Sequence, residues 1–164
     1  MPKQSTMCAD NVFYKARMAA ASCNDRLASR EGAAEETGID RTRLARIELG
    51  HLVPYPEEVI LMADTYDAPQ LTSYYCSALC QLGRKTMPPA EMRSLDRLTI
   101  CIVTALDETA QIQRGILEVA KDGQIAPEEY DQVRKIAEAL ERIEVVSRET
   151  KLFITKHLKG RKKP

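Results

Sequence analysis

Four polar side chains in the first third of the chain have the types and the spacing needed to contact nucleic acid. They are Arg41, Thr42, Arg43 and Arg46. A guanidinium can donate two parallel hydrogen bonds to the edge of a guanine or to a phosphate, and a threonine hydroxyl can bond to either. On a helix whose inward side carries Leu44 and Ile47, these four side chains would face outward. The chemistry that they predict is therefore binding to bases and phosphates.

Two short helices joined by a tight turn are expected to position these side chains. Ser29 is a predicted N-cap for a helix over residues 30–37, and Gly38 ends it because glycine accepts the left-handed conformation common after helices. Asp40 is a predicted N-cap for the next helix, over residues 41–49. The pattern predicts a helix-turn-helix unit whose second helix presents the polar side chains.

Three further short helices are expected around this pair. They are predicted over residues 12–22, 57–66 and 71–79. Asn11 is a predicted N-cap for the helix over residues 12–22, and Pro54 and Pro56 precede the helix over residues 57–66. The apolar face of the helix over residues 57–66 is predicted to include Val59 and Ile60.

Over about residues 12–79 the sequence resembles the lambda-repressor/Cro-like helix-turn-helix family, also called the XRE family. The resemblance is most specific in Gly38-Ile39-Asp40-Arg41, then Leu44-Ala45-Arg46-Ile47-Glu48-Leu49-Gly50, and Pro54 after them. It implies a five-helix DNA-binding bundle in which the second and third helices are the reading unit and Glu48 is structural. The DNA contacts that it implies are Arg30, Asp40, Arg41, Thr42, Arg43 and Arg46.

The chain departs from that family at several positions. Arg30 stands where a glutamine is usual, and Ala33 is smaller than the usual apolar residue. Gly32 inside a helix is expected to cost about 1 kcal/mol relative to alanine. Residues 11–50 carry seven basic and six acidic side chains, a net charge of +1. Because phosphate contacts supply most of the affinity for DNA, weak binding by a monomer is expected.

The second half of the chain predicts a different architecture. A linker is expected at residues 83–89, where Gly83 and the pair Pro88-Pro89 interrupt helical patterning. Apolar side chains then recur at alternating spacings of three and four, which is the heptad pattern of packed helices. Two long helices, about residues 90–121 and 127–159, are expected to form an antiparallel hairpin around a tight turn at Asp122-Gly123. The predicted fold is all-α, with domains at 1–82 and 90–164.

The apolar seam of this hairpin is expected to need a partner. The residues predicted to dimerise two chains are Leu95, Leu98, Ile102, Ile112, Ile116, Val133, Leu140 and Ile143. A homodimer would double the DNA contacts and match a palindromic operator. The alternative is that the hairpin folds back on its own N-terminal domain. The basic tail, residues 156–163, is a solvated end or a source of additional phosphate contacts.

Several classes of function are not expected. The chain has no phosphate-binding glycine loop, nucleophile elbow or metal-spaced histidine pair, so neither an enzyme nor a cofactor or metal site is predicted. Five cysteines are an odd number for a disulfide framework. No apolar run approaches the ~20 residues needed to cross a bilayer, and a cytoplasmic location is expected. The leading hypothesis is a DNA-binding transcriptional regulator, with a protein-interaction adaptor or antitoxin-like module as the alternative.

Overall fold

A computed structural model of the protein describes residues 10–119 and 124–159. These residues form helices and connecting turns, without strands, so the predicted all-α class is confirmed. The chain divides into two compact units, one ending at Met87 and the other beginning at Pro88. The predicted turn at Asp122-Gly123 and the part of the basic tail after residue 159 lie outside the described residues.

The first unit is built from short helices. They are α1 (Val12–Ala20), a 3₁₀ turn (Asp25–Ala28), α2 (Arg30–Thr37), α3 (Arg41–Glu48), α4 (Pro56–Thr65), α5 (Gln70–Tyr74) continued by a π-helical turn (Tyr75–Leu79), and α6 (Gly83–Thr86). The boundaries of α1 to α4 agree with the predicted helices to within two residues. Their core contains seven apolar side chains at most 1% exposed: Leu27, Ala33, Leu44, Ile47, Val59, Met62 and Leu71.

The predicted caps account for where these helices begin. The side chain of Asn11 accepts hydrogen bonds from the backbone at the start of α1, the nearer at 2.9 Å. Ser29 Oγ accepts from Gly32 N at 3.0 Å, and Asp40 Oδ1 accepts from Arg43 N at 3.0 Å. Gly38 has a φ of +72°, the left-handed conformation predicted for the turn between α2 and α3. Short polar side chains and one glycine therefore determine where α2 ends and α3 begins.

The structure contradicts one prediction about the first unit and refines another. Ile60 is 54% exposed and does not belong to the buried face of α4, which is formed by Val59, Met62 and Ala63. The segment expected to begin a linker at Gly83 instead forms α6. Gly83 is required there because a Cβ atom would lie 1.9 Å from the carbonyl oxygen of Cys76. The glycine is needed at this position because two backbone segments pack closely. A sequence pattern cannot distinguish such a glycine from one in a flexible linker.

The second unit is a helical hairpin. It consists of α7 (Leu95–Val119), a 3₁₀ turn (Pro127–Glu129) and α8 (Tyr130–Lys159). The helices are antiparallel, since Gln132 near the start of α8 bonds to Glu118 near the end of α7, at 3.0 Å. Farther along α8, Arg142 Nε donates to Glu108 at 3.1 Å. Among the described residues, no helix is both long enough and apolar enough to cross a bilayer.

Candidate nucleic-acid interface

A buried ion-pair network fixes α2 and α3 relative to the rest of the first unit. Arg17 Nε lies 2.6 Å from Glu48 Oε1, and both side chains are at most 3% exposed. Arg17 Nη1 also donates to the carbonyl oxygens of Leu27 and Ala28, at 2.7 and 3.1 Å. Arg30 Nε donates to Glu48 Oε2 at 2.7 Å. Since Glu48 ends α3, Arg17 lies on α1 and Arg30 begins α2, one carboxylate links three helices.

This network gives Arg30 a partner within the first unit. The resemblance implied that Arg30 contacts DNA, but its guanidinium is paired with Glu48 and its side chain is 33% exposed. Glu48 itself is 1% exposed, as the structural role implied for it requires. A hydrogen bond between two charged groups is strong, and breaking it would leave the buried carboxylate with one partner fewer. Arg30 therefore stabilises the junction of α2 with α3.

Arg43 is also partnered within the first unit. Its Nε and Nη2 both donate to the carboxylate of Glu58, the second at 2.9 Å, and its guanidinium lies 4.3 Å from the centroid of the Tyr55 ring. The same carboxylate accepts from Tyr55 N at 2.7 Å, at the start of α4. The hydrogen bond from Arg43 lowers the pKa of Glu58, and the hydrogen bond to Glu58 raises the pKa of Arg43. Arg43 therefore joins α3 to α4.

The remaining predicted residues of α3 form an open edge. Arg41, Thr42 and Arg46 are all exposed or partly exposed at the surface of the first unit. Arg41 Nε lies 3.7 Å from Glu31 Oε1, but both side chains are at least 65% exposed, so water screens this pair. Arg46 forms no ion pair with another described residue. Asp40 is exposed, with one oxygen occupied in capping α3. This edge has two accessible guanidinium groups and one hydroxyl.

Sequence reasoning missed Glu58 and an exposed apolar group in the first unit. Glu58 is fifteen residues from Arg43, and nothing in the spacing signals that the two meet. Val53 and Tyr55, in the segment between α3 and α4, are 56% and 62% exposed. Ile60 and Leu61, on α4, are 54% and 45% exposed. Contiguous patches of exposed apolar side chains are a feature of protein-binding surfaces.

The structure divides the predicted dimerisation residues between two environments. Leu98 and Ile112 are 2% and 7% exposed and are buried within the hairpin itself. Half-buried positions are Ile102, Val133 and Ile143. Exposed positions are Leu95, Ile116 and Leu140, at 58%, 44% and 49%. The apolar seam is therefore used partly inside one chain and partly left on its surface.

The described residues contain no cluster of histidine, cysteine, aspartate and glutamate that could hold a metal ion. Cys76 and Cys80, four residues apart, are half-buried free thiols. Comparison of the chain with protein-family models, with curated proteins and with solved structures gives no match.

Proposed function

We propose that the protein is a sequence-specific double-stranded DNA-binding transcriptional regulator that acts as a homodimer. In this proposal the first unit is a lambda-repressor-like domain and α3 enters the major groove. The observation that carries the proposal is the accessible edge of Arg41, Thr42 and Arg46 on a helix that the buried Glu48 holds in place.

The arrangement suits DNA recognition because two arginines hold α3 in place while two others stay accessible to DNA. Arg30 and Arg43 are paired with Glu48 and Glu58, which supports α3 from both neighbouring helices. Arg41 and Arg46 remain accessible to guanine or to phosphate. With Arg30 and Arg43 committed to ion pairs, α3 offers two accessible arginines to DNA in one chain. Two copies on a palindromic site would supply twice as many.

The test is a gel-shift selection against pools of random duplex DNA at low and moderate salt. Arg41→Ala with Arg46→Ala is expected to weaken the binding of a selected duplex by about 1–3 kcal/mol for each of the two arginines that pairs with a base. Arg26→Ala is the control, because Arg26 is as exposed as Arg41, at 64% against 65%, and lies in the 3₁₀ turn, where it pairs with Glu35 and Glu36 on α2. An equally large effect in the control would point to general charge and contradict recognition by α3.

A protein-interaction adaptor, or an antitoxin-like module, is the second candidate. It is favoured by the exposed apolar side chains Val53, Tyr55, Ile60 and Leu61 and by the pairing of Arg30 and Arg43. An adaptor that keeps this fold would retain no duplex from any pool. In that case, Ile60→Glu would impair the binding of its protein partner, whereas the Arg41 and Arg46 substitutions would leave that binding unchanged.

A further inference from the structure

The α7–α8 hairpin buries few side chains for its length. Its buried apolar residues are Leu98, Ile112 and Ala139, and Gly115 packs close to Ile136. Two packed helices form a single shallow layer of contacts, and apolar stripes on helices are normally covered by another element. The exposed leucine and isoleucine side chains of α7 and α8 therefore indicate a surface that is completed by another molecule.

Among the grooves between the two helices of the hairpin, two differ clearly in charge. One, the acidic groove, has a volume of about 720 Å³ and includes Glu108, Glu138, Glu141, Glu149, Arg93 and Arg142 in its lining. Arg93 Nε lies 2.8 Å from Glu149 Oε2 in this groove. The other, the apolar groove, has a volume of about 320 Å³ and includes Ile102, Leu106 and Ile143. Of the described residues that line the apolar groove, only Lys151 is charged.

The apolar groove lies at the centre of two rows of residues spaced seven apart. The row on α7 is Leu95, Ile102, Thr109 and Ile116, and the row on α8 is Val133, Leu140, Ser147 and Ile154. Ile102 and Thr109 line the groove from α7, and Ser147 lines it from α8. Residues seven apart on a helix share a face, so the other members extend this surface toward both ends of the hairpin. Four of them are 44% to 58% exposed: Leu95, Ile116, Leu140 and Ile154.

We propose that a second copy of this chain packs on the apolar groove and its two rows to form a four-helix bundle. The inference rests on the proposal that the protein acts as a homodimer and names the surface that joins the two chains. A two-fold interface brings a surface against itself, so charges near the axis meet like charges. The apolar groove avoids this repulsion, because the described residues of its walls carry no carboxylate. The acidic groove would bring glutamates against glutamates.

The size of this surface also suits a stable dimer. Helix α7 has 25 residues, so it is about 37 Å long at ~1.5 Å per residue. Two helices of ~10 Å diameter side by side make the face about 20 Å wide, and its footprint is then about 700 Å². A stable protein interface buries about 800 Å² on each partner. The hairpin face can therefore supply most of a standard interface by itself.

Light scattering on the full chain without DNA tests this surface at ~100 μM, well above typical dissociation constants. The wild-type chain is expected to have twice the 18.4 kDa mass of a single chain. Leu106→Glu is expected to halve that mass by placing a carboxylate in the apolar groove. Ile100→Glu, which lies on the same helix and lines the acidic groove, is expected to leave it unchanged. The two positions are matched in exposure, at 65% and 66%.

Circular dichroism of both variants would show whether the helices form, and Leu140→Glu provides a second disruption from α8. A monomeric wild-type chain would overturn the proposal, as would dissociation by Ile100→Glu with a stable Leu106→Glu dimer. The Arg41→Ala and Arg46→Ala chain is expected to keep the dimer mass. A dimer that binds no DNA would therefore contradict DNA recognition and leave the dimer surface standing. A DNA-binding monomer would contradict the dimer and leave DNA recognition by α3 standing.

Discussion

Glu48 and Glu58 are the two carboxylates that decide what the arginines around α3 can do. Glu48 is buried and binds Arg17 and Arg30, whereas Glu58 is at the start of α4 and binds Arg43. A buried carboxylate can stay ionised only beside its charged partners, because moving a charge out of water costs free energy. The structural arginines and the two accessible ones therefore differ in environment rather than in residue type.

Removing Glu48 is expected to destabilise the first unit strongly. Glu48→Ala would leave Arg17, which is 2% exposed, as an unpaired buried cation, at a cost of about 3–5 kcal/mol. Urea unfolding followed by circular dichroism measures this change in the free energy of unfolding. The control is the double variant Arg17→Met with Glu48→Leu, which removes both buried charges and is expected to be less destabilised. A single variant as stable as the wild type would show that the network does not support the fold.

The ion pair between Glu58 and Arg43 is expected to make stability depend on pH. The folded-state pKa of Glu58 is lowered from its ordinary value of 4.5, so the stabilisation is fully present above that pH. It disappears as the pH falls through the lower folded-state pKa. Glu58→Gln is therefore expected to unfold with a weaker pH dependence than wild type below about pH 4.5, in thermal melts at a series of pH values. An unchanged dependence would contradict this role for Glu58.

Short polar residues determine where the helices of the first unit begin. How closely α2 packs against its neighbours depends on backbone contacts. Gly32 lies inside α2, where the sequence shows only a weak helix former. A Cβ atom at Gly32 would lie 2.1 Å from the carbonyl oxygen of Arg26. The glycine is therefore a packing requirement that allows the 3₁₀ turn to lie against α2.

Gly32→Ala is expected to destabilise the first unit, although in a solvent-exposed helix alanine is more favourable than glycine by about 1 kcal/mol. The clash is with backbone and requires the turn to shift, so we expect the free energy of unfolding in urea to fall by about 1–3 kcal/mol. Gly115→Ala in α7 is the comparison, because its Cβ would meet the flexible end of Ile136 at 3.1 Å. That variant is expected to be less destabilised, and a stabilised Gly32→Ala chain would disprove the packing argument.

The two units of the molecule have separate cores, and the proposed function needs both. In the first unit α3 carries two accessible arginines, whereas the hairpin has an apolar face that suits a second copy. Doubling the reading units would raise affinity for a palindrome without any new contact within each half-site. Affinity is thus expected to depend on a surface that does not touch DNA.

This dependence gives a prediction for the whole protein. Leu106→Glu is expected to remove the preference for a palindromic duplex over a single half-site, because each monomer then binds alone. Its affinity for the isolated half-site is expected to equal that of the wild type. Gel shifts with the two duplexes at one salt concentration measure both quantities. If Leu106→Glu kept the palindromic preference, DNA binding and the hairpin would be independent.

Local spacing was enough to predict the all-α class, the caps at Ser29 and Asp40, and the left-handed turn at Gly38. These features depend on interactions between residues a few positions apart, so the local sequence is enough to predict them. The helical hairpin was predictable for the same reason, since its apolar repeat runs along each helix.

Only the tertiary structure decided which of the predicted side chains are accessible. Arg30 and Arg43 match the expected pattern as well as Arg41 does, yet their carboxylate partners lie 18 and 15 residues away along the chain. The heptad seam likewise could not show that Leu98 is buried in its own hairpin while Leu140 is exposed. Burial and long-range pairing depend on how helices rotate and pack in space, and periodicity along one helix does not contain that information.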